Sequence, residues 1–274
     1  MPNTHQTLQD IADILSFESD KTLLKARLEG DTMDWDHLVR VGSGHLVLPA
    51  IYCRLKSKKL LDLLPKELEI YLKEITDLNR ERNEQLLAEA QQISQWFQQA
   101  DINHVFLKGT AMLASRYYED IGERMVGDLD ILIQSNQLIT AKQLLESKHY
   151  HKHHNLIYLY KGHRHIPPMT SKSTLGAVEL HDNLLIKRAR HYISLEKFLN
   201  TKQIKNCVDI PSNKNLIYHS ILNFQINDKG FTHNLLSLKF MYDFSVISKE
   251  INKLEITNKY LESFLGICAI FFND

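Results

Sequence analysis

The spacing of apolar residues along this 274-residue chain changes just after Asp101. From Thr4 to Ala100, apolar residues recur at steps of three and four, which places them on one face of a helix. Beyond Asp101, the short apolar run His104-Val105-Phe106-Leu107 is followed by Lys108-Gly109, a pattern typical of a buried strand that ends in a tight turn. The sequence therefore predicts a helical first third joined to a middle region that contains a sheet.

Two stretches have the clearest helical spacing. Lys66 to Ala100 predicts one long helix with an apolar stripe among its charges. Asn213 to Phe272 is also predicted to be helical, with a turn at Asn227-Asp228-Lys229-Gly230. The final apolar stretch, Phe264 to Phe272, is about half as long as a membrane span of about 20 residues, so it predicts a packed terminal helix.

The middle region alternates strands and helices. A helix is expected to begin near Thr110 and to stop before Gly122, and Asp128 to Ile133 is predicted to be a strand. Ser135 is predicted to cap a helix that continues to Lys148, because its hydroxyl can accept from first-turn amides. Two more strands are predicted on either side of a loop that contains Pro167-Pro168 and Ser171 to Thr174, at Leu156 to Tyr160 and at Ala177 to His181.

These elements predict an α+β fold in which a small sheet is flanked by helices. Three regions are expected along the chain: a helical N-terminal region at 1–100, a core that carries the sheet at 101–190, and a helical C-terminal region at 191–274. The 43% of hydrophobic residues suffices for a sizeable core.

Charge and cysteine usage narrow the choice of partners and compartment. The chain has 33 Lys and Arg against 33 Asp and Glu, so net charge gives no argument for a nucleic-acid or membrane partner, although a local basic patch stays open. Its three cysteines are widely spaced and odd in number, which suggests neither a disulfide framework nor a metal knuckle. Residues 1–20 lack the order of a signal peptide, and a cytoplasmic location is predicted.

Asp128 and Asp130 are the strongest candidates for chemistry. Side chains alternate along a strand, so both carboxylates project to one side while Leu129 and Ile131 point to the other. Two carboxylates in one small space repel each other, and a divalent cation such as Mg²⁺ removes that conflict because it prefers oxygen ligands. The pair is therefore interpreted as a metal site for phosphoryl or nucleotidyl transfer.

Other residues are expected to complete this site. Lys108-Gly109-Thr110 lies between a strand and a helix, where free backbone amides can hold a phosphate and the lysine can add a charge. Arg124 is predicted either to bind phosphate or to pair with Asp128. Glu179, which shares a strand face with His181, is the candidate third carboxylate and base.

These motifs together are familiar. The segments Phe-Leu-Lys-Gly-Thr-Ala-Met-Leu, Tyr-Tyr-Glu-Asp-Ile-Gly-Glu-Arg, Gly-Asp-Leu-Asp-Ile-Leu-Ile and Val-Glu-Leu-His resemble the uncharacterised bacterial nucleotidyltransferase-like family of the polymerase-beta-like nucleotidyltransferase superfamily. The resemblance extends over nearly the whole chain, from a helical front with Trp35 to a helical tail. It implies a small mixed sheet flanked by helices.

The resemblance also implies roles for individual residues. Asp128 and Asp130 correspond to the paired metal ligands, Glu179 to the third acidic position, and Gly109 and Thr110 to the phosphate-holding turn. Lys108 stands where most superfamily members have a glycine, and Glu179 stands where an aspartate is commoner. The implied cofactor is Mg²⁺, with Mn²⁺ as an alternative, and the implied reaction moves a nucleoside monophosphate from a nucleoside triphosphate, ATP among them, to an unidentified hydroxyl on a protein, a small molecule or RNA.

Other functions stay open at this stage. The fold can belong to a catalytically silent nucleotide-binding protein or to an antitoxin-like interaction protein. A transition-metal site is the second alternative, because histidines are concentrated in one stretch, and alternation would place three of them on one strand face: His149, His151 and His153. A kinase-like phosphotransferase is a weaker alternative, since His181-Asp182-Asn183 lacks the accompanying glycine-rich loop.

Overall fold

The computed structural model describes residues 3–30, 33–152, 165–251 and 254–272. The chain divides into two compact units. The first, here called the helical unit, contains Met1–Glu81, Tyr118–Met125 and Asn234–Asp274. The second, the sheet unit, contains Arg82–Tyr117 and Val126–His233. The three regions expected from the sequence, 1–100, 101–190 and 191–274, stay a prediction.

The chain begins with helices, as the three- and four-residue spacing predicted. Short polar side chains cap the first three of them: Asn3 accepts from the amide of Gln6, Asp20 from those of Thr22 and Leu23, and Asp34 from that of His37. The helices are α1 (Thr4–Leu15), α2 (Lys21–Glu29), α3 (Trp35–Gly44), α4 (Leu48–Lys58) and α5 (Lys66–Gln99). Helix α5 is the long helix predicted from Lys66 onward, and its first part belongs to the helical unit.

A five-stranded mixed sheet forms the centre of the sheet unit. Its strands, in chain order, are β1 (His104–Phe106), β2 (Asp128–Ile133), β3 (His151–Lys152), β4 (Met169–Thr170) and β5 (Ala177–His181). Their spatial order is β1-β2-β5-β4-β3, with β2 and β5 parallel and the other pairs antiparallel. This mixed sheet with flanking helices confirms the predicted α+β fold class.

Helices and a small hairpin surround this sheet in chain order. Helix α6 (Lys108–Ser115) follows β1 and α7 (Leu138–Ser147) follows β2, while the later elements of the unit are α8 (Leu195–Asn200), the hairpin β6 (Gln203–Lys205) and β7 (Val208–Ile210), α9 (Asn213–Leu222) and α10 (Gly230–His233). The core of the unit contains Phe97, Phe106, Leu129, Ile131 and Leu180, each with an exposed fraction of zero.

The last two helices return to the helical unit. They are α11 (Leu238–Ser248) and α12 (Lys259–Phe271), and Asn258 caps α12 by accepting from the amides of Tyr260 and Leu261. Phe264 and Phe271 are buried, which confirms the predicted packed terminal helix. Within the described residues, none of the helices combines the length and the apolar character that a membrane span requires.

Three local predictions need correction or fall outside the described part of the chain. Ser135 does not cap a helix: it begins a short 3₁₀ turn, its hydroxyl contacts the carbonyl of Asp182 at 3.5 Å, and α7 starts at Leu138 without a side-chain cap. Strand β4 lies inside the stretch predicted to be a loop, and the hairpin β6–β7 was not predicted. The strand predicted at Leu156 to Tyr160 lies outside the described residues.

Candidate active site

The parallel pairing of β2 with β5 brings the predicted acidic residues together. Asp128 lies opposite Ala177, Asp130 opposite Glu179, and Leu132 opposite His181. Because side chains alternate along each strand, Asp128, Asp130, Glu179 and His181 share one face of the sheet. The register between β2 and β5 thus brings together the predicted carboxylates, which lie in two distant parts of the sequence.

Asp130 is the centre of the cluster. Its side chain is buried, and one of its oxygens, Oδ1, contacts Lys108 Nζ at 2.6 Å and His181 Nε2 at 2.9 Å. The backbone explains the first contact, since the amide of Leu107 donates to the carbonyl of Asp130 at 2.9 Å and so places Lys108 beside β2. A buried carboxylate with two charged or polar partners satisfies the requirement that buried charges be compensated.

Lys108 occupies a strained backbone position. Its φ is 47°, in the left-handed region where glycine is the usual residue. Glycine adopts this conformation without the steric cost of a Cβ atom, and in this chain the lysine holds the turn at a cost. Strain of this kind persists where surrounding contacts fix it, and the Lys108–Asp130 ion pair is such a contact.

Two histidines adjoin the third carboxylate. His181 Nε2 lies 3.6 Å from Glu179 Oε2, and His165 Nδ1 lies 3.9 Å from the same oxygen. The rings of His165 and His181 are 5.0 Å apart, and their backbones form an isolated antiparallel bridge. Glu179 is partly exposed while His181 is buried, so the imidazole of His181 is shielded from solvent next to this carboxylate.

Their surroundings shift the pKa values of the three carboxyl groups in different directions. Burial, with the charge of Asp130 added to it, raises the pKa of Asp128 to about 6. Burial alone would also raise the pKa of Asp130, but the Lys108 ammonium and the His181 hydrogen bond outweigh it and hold that pKa well below its ordinary range. Burial likewise opposes ionisation of Glu179, yet the contact with His181 lowers its pKa overall.

These groups fit a divalent cation. Ligand atoms of Asp130, Glu179 and His181 all lie within 4.8 Å of one another, a spacing that one metal ion can span. Asp128 does not belong to this compact group, but burial and the charge of Asp130 raise its pKa, and a cation nearby would favour its ionised form. Oxygen donors suit Mg²⁺, and the added imidazole nitrogen suits Mn²⁺ as well.

The start of α6 completes the arrangement. Gly109 and Thr110 provide first-turn amides, which helix geometry leaves without carbonyl partners inside the helix. Thr110 Oγ1 donates to the carbonyl of Asp128 at 3.3 Å and so ties this turn to β2. Backbone amides at a helix N-terminus favour an anionic group such as a phosphate.

Comparison with known protein families assigns the chain to one of them. The model of a family described as uncharacterised nucleotidyltransferase matches residues 31–263. The chain belongs to this nucleotidyltransferase family. The suspected resemblance is therefore confirmed, and the match includes every element of the cluster described above. No protein of curated function matches the chain.

Arg124 is placed differently from the other predicted site residues of this nucleotidyltransferase. It belongs to the helical unit, is 7% exposed, and forms an ion pair with Asp243, with Nη2 and Oδ2 2.8 Å apart. Its Nη1 donates to the carbonyl of Met125 at 2.8 Å. The guanidinium is thus engaged in a buried pair with Asp243, and the predicted phosphate binding or pairing with Asp128 stays a prediction.

The described part of the histidine-rich stretch does not form the alternative metal site. His149 follows α7 with a φ of 67° and His151 begins β3, so the two do not share a continuous strand, and both are exposed. His153, His154 and His163 lie outside the described residues. Among the residues that the structure does describe, the metal-capable group is Asp130, Glu179 and His181.

Two contributors to the site were not predicted as site residues of this nucleotidyltransferase. His181 was named only as a neighbour of Glu179 on one strand face and as part of the kinase-like alternative, and its two-residue spacing from Glu179 was the signal that pointed to this site. Arg82 donates from Nε to the carbonyl of Val126 at 3.3 Å and from Nη2 to that of Gly127 at 3.1 Å, which anchors the segment just before Asp128. Sequence offers no signal for such a contact, because more than 40 residues separate the partners.

Proposed function

We propose that this chain is a divalent-metal-dependent nucleotidyltransferase that moves a nucleoside monophosphate from a nucleoside triphosphate to a hydroxyl acceptor. The observation that carries the proposal is the register of β2 with β5, which sets Asp130 opposite Glu179 with Asp128 on the same face. Membership of a nucleotidyltransferase family supports the reaction type.

The carboxylates of Asp128, Asp130 and Glu179 would hold the cation, and His181 would add a nitrogen donor. Such an ion, Mg²⁺ or Mn²⁺, would supply positive charge that stabilises the bound triphosphate and the leaving pyrophosphate. The raised pKa of Asp128 supports this role, because a carboxyl that burial and a neighbouring charge keep partly protonated gains from added positive charge.

The triphosphate would lie at the start of α6. Amides of Gly109 and Thr110 would donate to a phosphate. Lys108, whose side chain is 22% exposed, would contribute its charge beside Asp130. These residues orient the α-phosphorus toward the carboxylate cluster and cost little reorganisation, because backbone structure already fixes them.

The transfer exchanges one phosphorus–oxygen bond for another. The acceptor oxygen forms a bond to the α-phosphorus, the bond from that phosphorus to the bridging oxygen of the β-phosphate breaks, and pyrophosphate leaves with the bonding electrons. The hydroxyl proton passes to the Glu179 carboxylate, which the lowered pKa keeps ionised at neutral pH, and then to solvent.

The direct test replaces both proposed metal ligands on β2, Asp128 and Asp130. Purified protein is incubated with Mg²⁺ or Mn²⁺, each labelled nucleoside triphosphate, and panels of protein, small-molecule and RNA acceptors, and both pyrophosphate release and label transfer are measured. Asp128→Asn combined with Asp130→Asn is expected to lower the rate by about 100-fold or more, because the cation loses its charged ligands. Asp182→Asn is the matched control, since that carboxylate follows β5 directly but lies outside the metal-capable group.

Two outcomes would count against the proposal. Equal rates for the wild type and the double variant would show that the assigned carboxylates are not the active site. Triphosphate binding by the wild type without pyrophosphate release for any acceptor in the panels would identify a catalytically silent nucleotide-binding protein of the same fold.

A further inference from the structure

The neutral net charge of the chain conceals a division between its two units. The residues of the sheet unit include 17 Lys and Arg against 11 Asp and Glu, whereas those of the helical unit include 16 against 22. The unit that carries the candidate active site is therefore formally cationic by six charges, and the other is anionic by the same amount. An excess of cations on one unit attracts polyanions in a way that total charge does not reveal.

Part of this excess is concentrated in one short helical segment. The 3₁₀ helix Lys187–Tyr192, here called the basic segment, contains four exposed basic side chains in five positions: Lys187, Arg188, Arg190 and His191. Its one buried residue, Ala189, faces inward and fixes which sides of the segment meet solvent. The cations therefore form a surface patch and not a scatter of single charges.

These cations lack acidic partners within the described ranges of the chain. No carboxylate there forms an ion pair with Lys187, Arg188 or Arg190. Three other lysines of the sheet unit do have acidic partners: Lys108 pairs with Asp130, Lys142 with Glu146 and Lys202 with Asp209. Unpaired arginines on a surface are available to bind phosphate groups, which match their planar donors.

The fold holds the basic segment close to the active site. It begins six residues after His181, so chain length alone keeps the two Cα atoms within about 22 Å. The connection is tied down as well: Ile186 N donates to Asn227 Oδ1 at 3.1 Å, and Asn227 Nδ2 donates to Leu184 O at 3.0 Å. A single strand bound at the start of the segment would need to cover at most about 22 Å to reach His181, which lies on the same strand as Glu179.

Aromatic rings accompany the charges. The rings of His191 and Tyr192 lie 4.2 Å apart at the end of the segment, with His191 exposed and Tyr192 half-buried. Arginines beside exposed rings are the combination that binds single-stranded nucleic acid, because cations contact phosphates while rings stack on unpaired bases. An acidic peptide would use the charges but would not use the rings.

We propose that the basic segment binds the phosphates of a single-stranded nucleic acid whose terminal hydroxyl is the acceptor of the transferred nucleotide. This inference rests on the proposed function, and it adds the chemical class of the acceptor. A terminal ribose hydroxyl supplies the nucleophilic oxygen, and the preceding phosphates supply the charges that the segment recognises.

The test measures binding and its salt dependence. The probe is a labelled single-stranded RNA of about 12 nucleotides, within the usual range of such sites, titrated with the full chain and followed by fluorescence anisotropy. The combined variant Lys187→Gln, Arg188→Gln, Arg190→Gln is expected to weaken binding by about tenfold or more. It is also expected to reduce the slope of log affinity against log salt by about 2, since each phosphate contact contributes about 0.7.

A charge-matched control separates this site from general attraction. Lys21, Lys56 and Lys59 are exposed residues of the helical unit, and changing all three to Gln removes the same net charge. The control variant is expected to bind the RNA as the wild type does. Equal weakening by both variants, no binding by the wild type, or a stronger preference for a polyglutamate peptide or for duplex RNA would overturn the proposal.

Failure of this inference and failure of the proposed function give different results. If the segment variant transfers nucleotide to the RNA as efficiently as the wild type, the acceptor site is wrong while nucleotidyl transfer stands. If RNA binds through the segment but no triphosphate is ever cleaved, the binding surface stands and the proposed reaction fails. Asp128→Asn with Asp130→Asn is expected to keep the RNA affinity and to lose transfer.

Discussion

At the scale of single residues, Lys108 combines a strained backbone with a charge that the proposed active site would use. Its φ of 47° costs energy for any residue with a side chain, and its ammonium contacts Asp130 at 2.6 Å. A glycine would remove the strain and the charge together. In this chain the less favourable conformation therefore accompanies a cation beside Asp130.

Two substitutions separate the strain of Lys108 from its charge. Lys108→Gly and Lys108→Ala both remove the ammonium, but only glycine relieves the left-handed conformation. We expect the glycine variant to have a free energy of unfolding about 1 kcal/mol above that of the alanine variant, because the relief of about 1–2 kcal/mol is partly offset by the extra freedom of unfolded glycine. Urea unfolding measures the difference, and an alanine variant as stable as the glycine variant would refute the strain.

At the scale of secondary structure, the turn of the hairpin β6–β7 also holds residues in the left-handed conformation, which costs conformational energy. Asn206 and Cys207 have φ values of 46° and 61°, the conformation of the tight turns that match the twist of paired strands. Asparagine tolerates it, whereas cysteine is an unusual residue there. The turn was hard to predict because the expected Asn-Gly signal appears here as Asn-Cys.

Replacing the cysteine of this turn tests that explanation. Cys207→Gly is expected to raise the free energy of unfolding by about 0.5–1 kcal/mol, since Cys207 is exposed and loses no packing. Cys207→Ala keeps the strained φ and serves as the control, with little change expected. Thermal unfolding of the three proteins compares them, and a glycine variant no more stable than the alanine variant would contradict the prediction.

Elements with strong local patterns were predictable, and elements made by distant contacts were not. The three- and four-residue spacing predicted α5 to within a residue, and the apolar runs predicted β1, β2 and β5. Strand β4 has only two residues and exists through its pairing with β5 and β3, so no local pattern marks it.

The candidate site follows the same rule. Alternation along β2 predicted that Asp128 and Asp130 share a face, and the structure places them so. The partners of Arg124 were beyond sequence reasoning, because Asp243 lies 119 residues away. The part played by His181 depended on a register between two strands that no single segment specifies.

At the scale of the whole molecule, one buried acid makes stability depend on pH. Glu123 is 4% exposed, accepts a hydrogen bond from the Tyr242 hydroxyl, and has its pKa raised to about 7 chiefly by burial. Arg54 opposes this shift, and Glu119 and Asp120 add to it. The folded protein thus favours the protonated form of this group more than the unfolded chain does.

The sign of the effect follows from linkage. Because the folded pKa lies above the unfolded value near 4.5, the contribution of Glu123 is fully present below about pH 4.5 and is lost as pH rises toward about 7. The loss amounts to about 3 kcal/mol. Glu123→Gln is expected to remove this dependence, and urea unfolding at about pH 4.5 and about pH 8 measures it. An unchanged difference between the two conditions in the variant would show that other groups cause it.

The parallel pairing of Asp130 with Glu179 also determines when the site can exist. These residues lie 49 positions apart in the chain, and parallel strands meet only after the intervening segment has crossed over. Closing a loop of that length loses conformational entropy before any contact between the strands stabilises it, so such pairings form late and slowly in folding. A nascent chain therefore has no complete cluster of carboxylates until the ribosome has synthesised past His181, and the proposed reaction would have to wait until the sheet is closed.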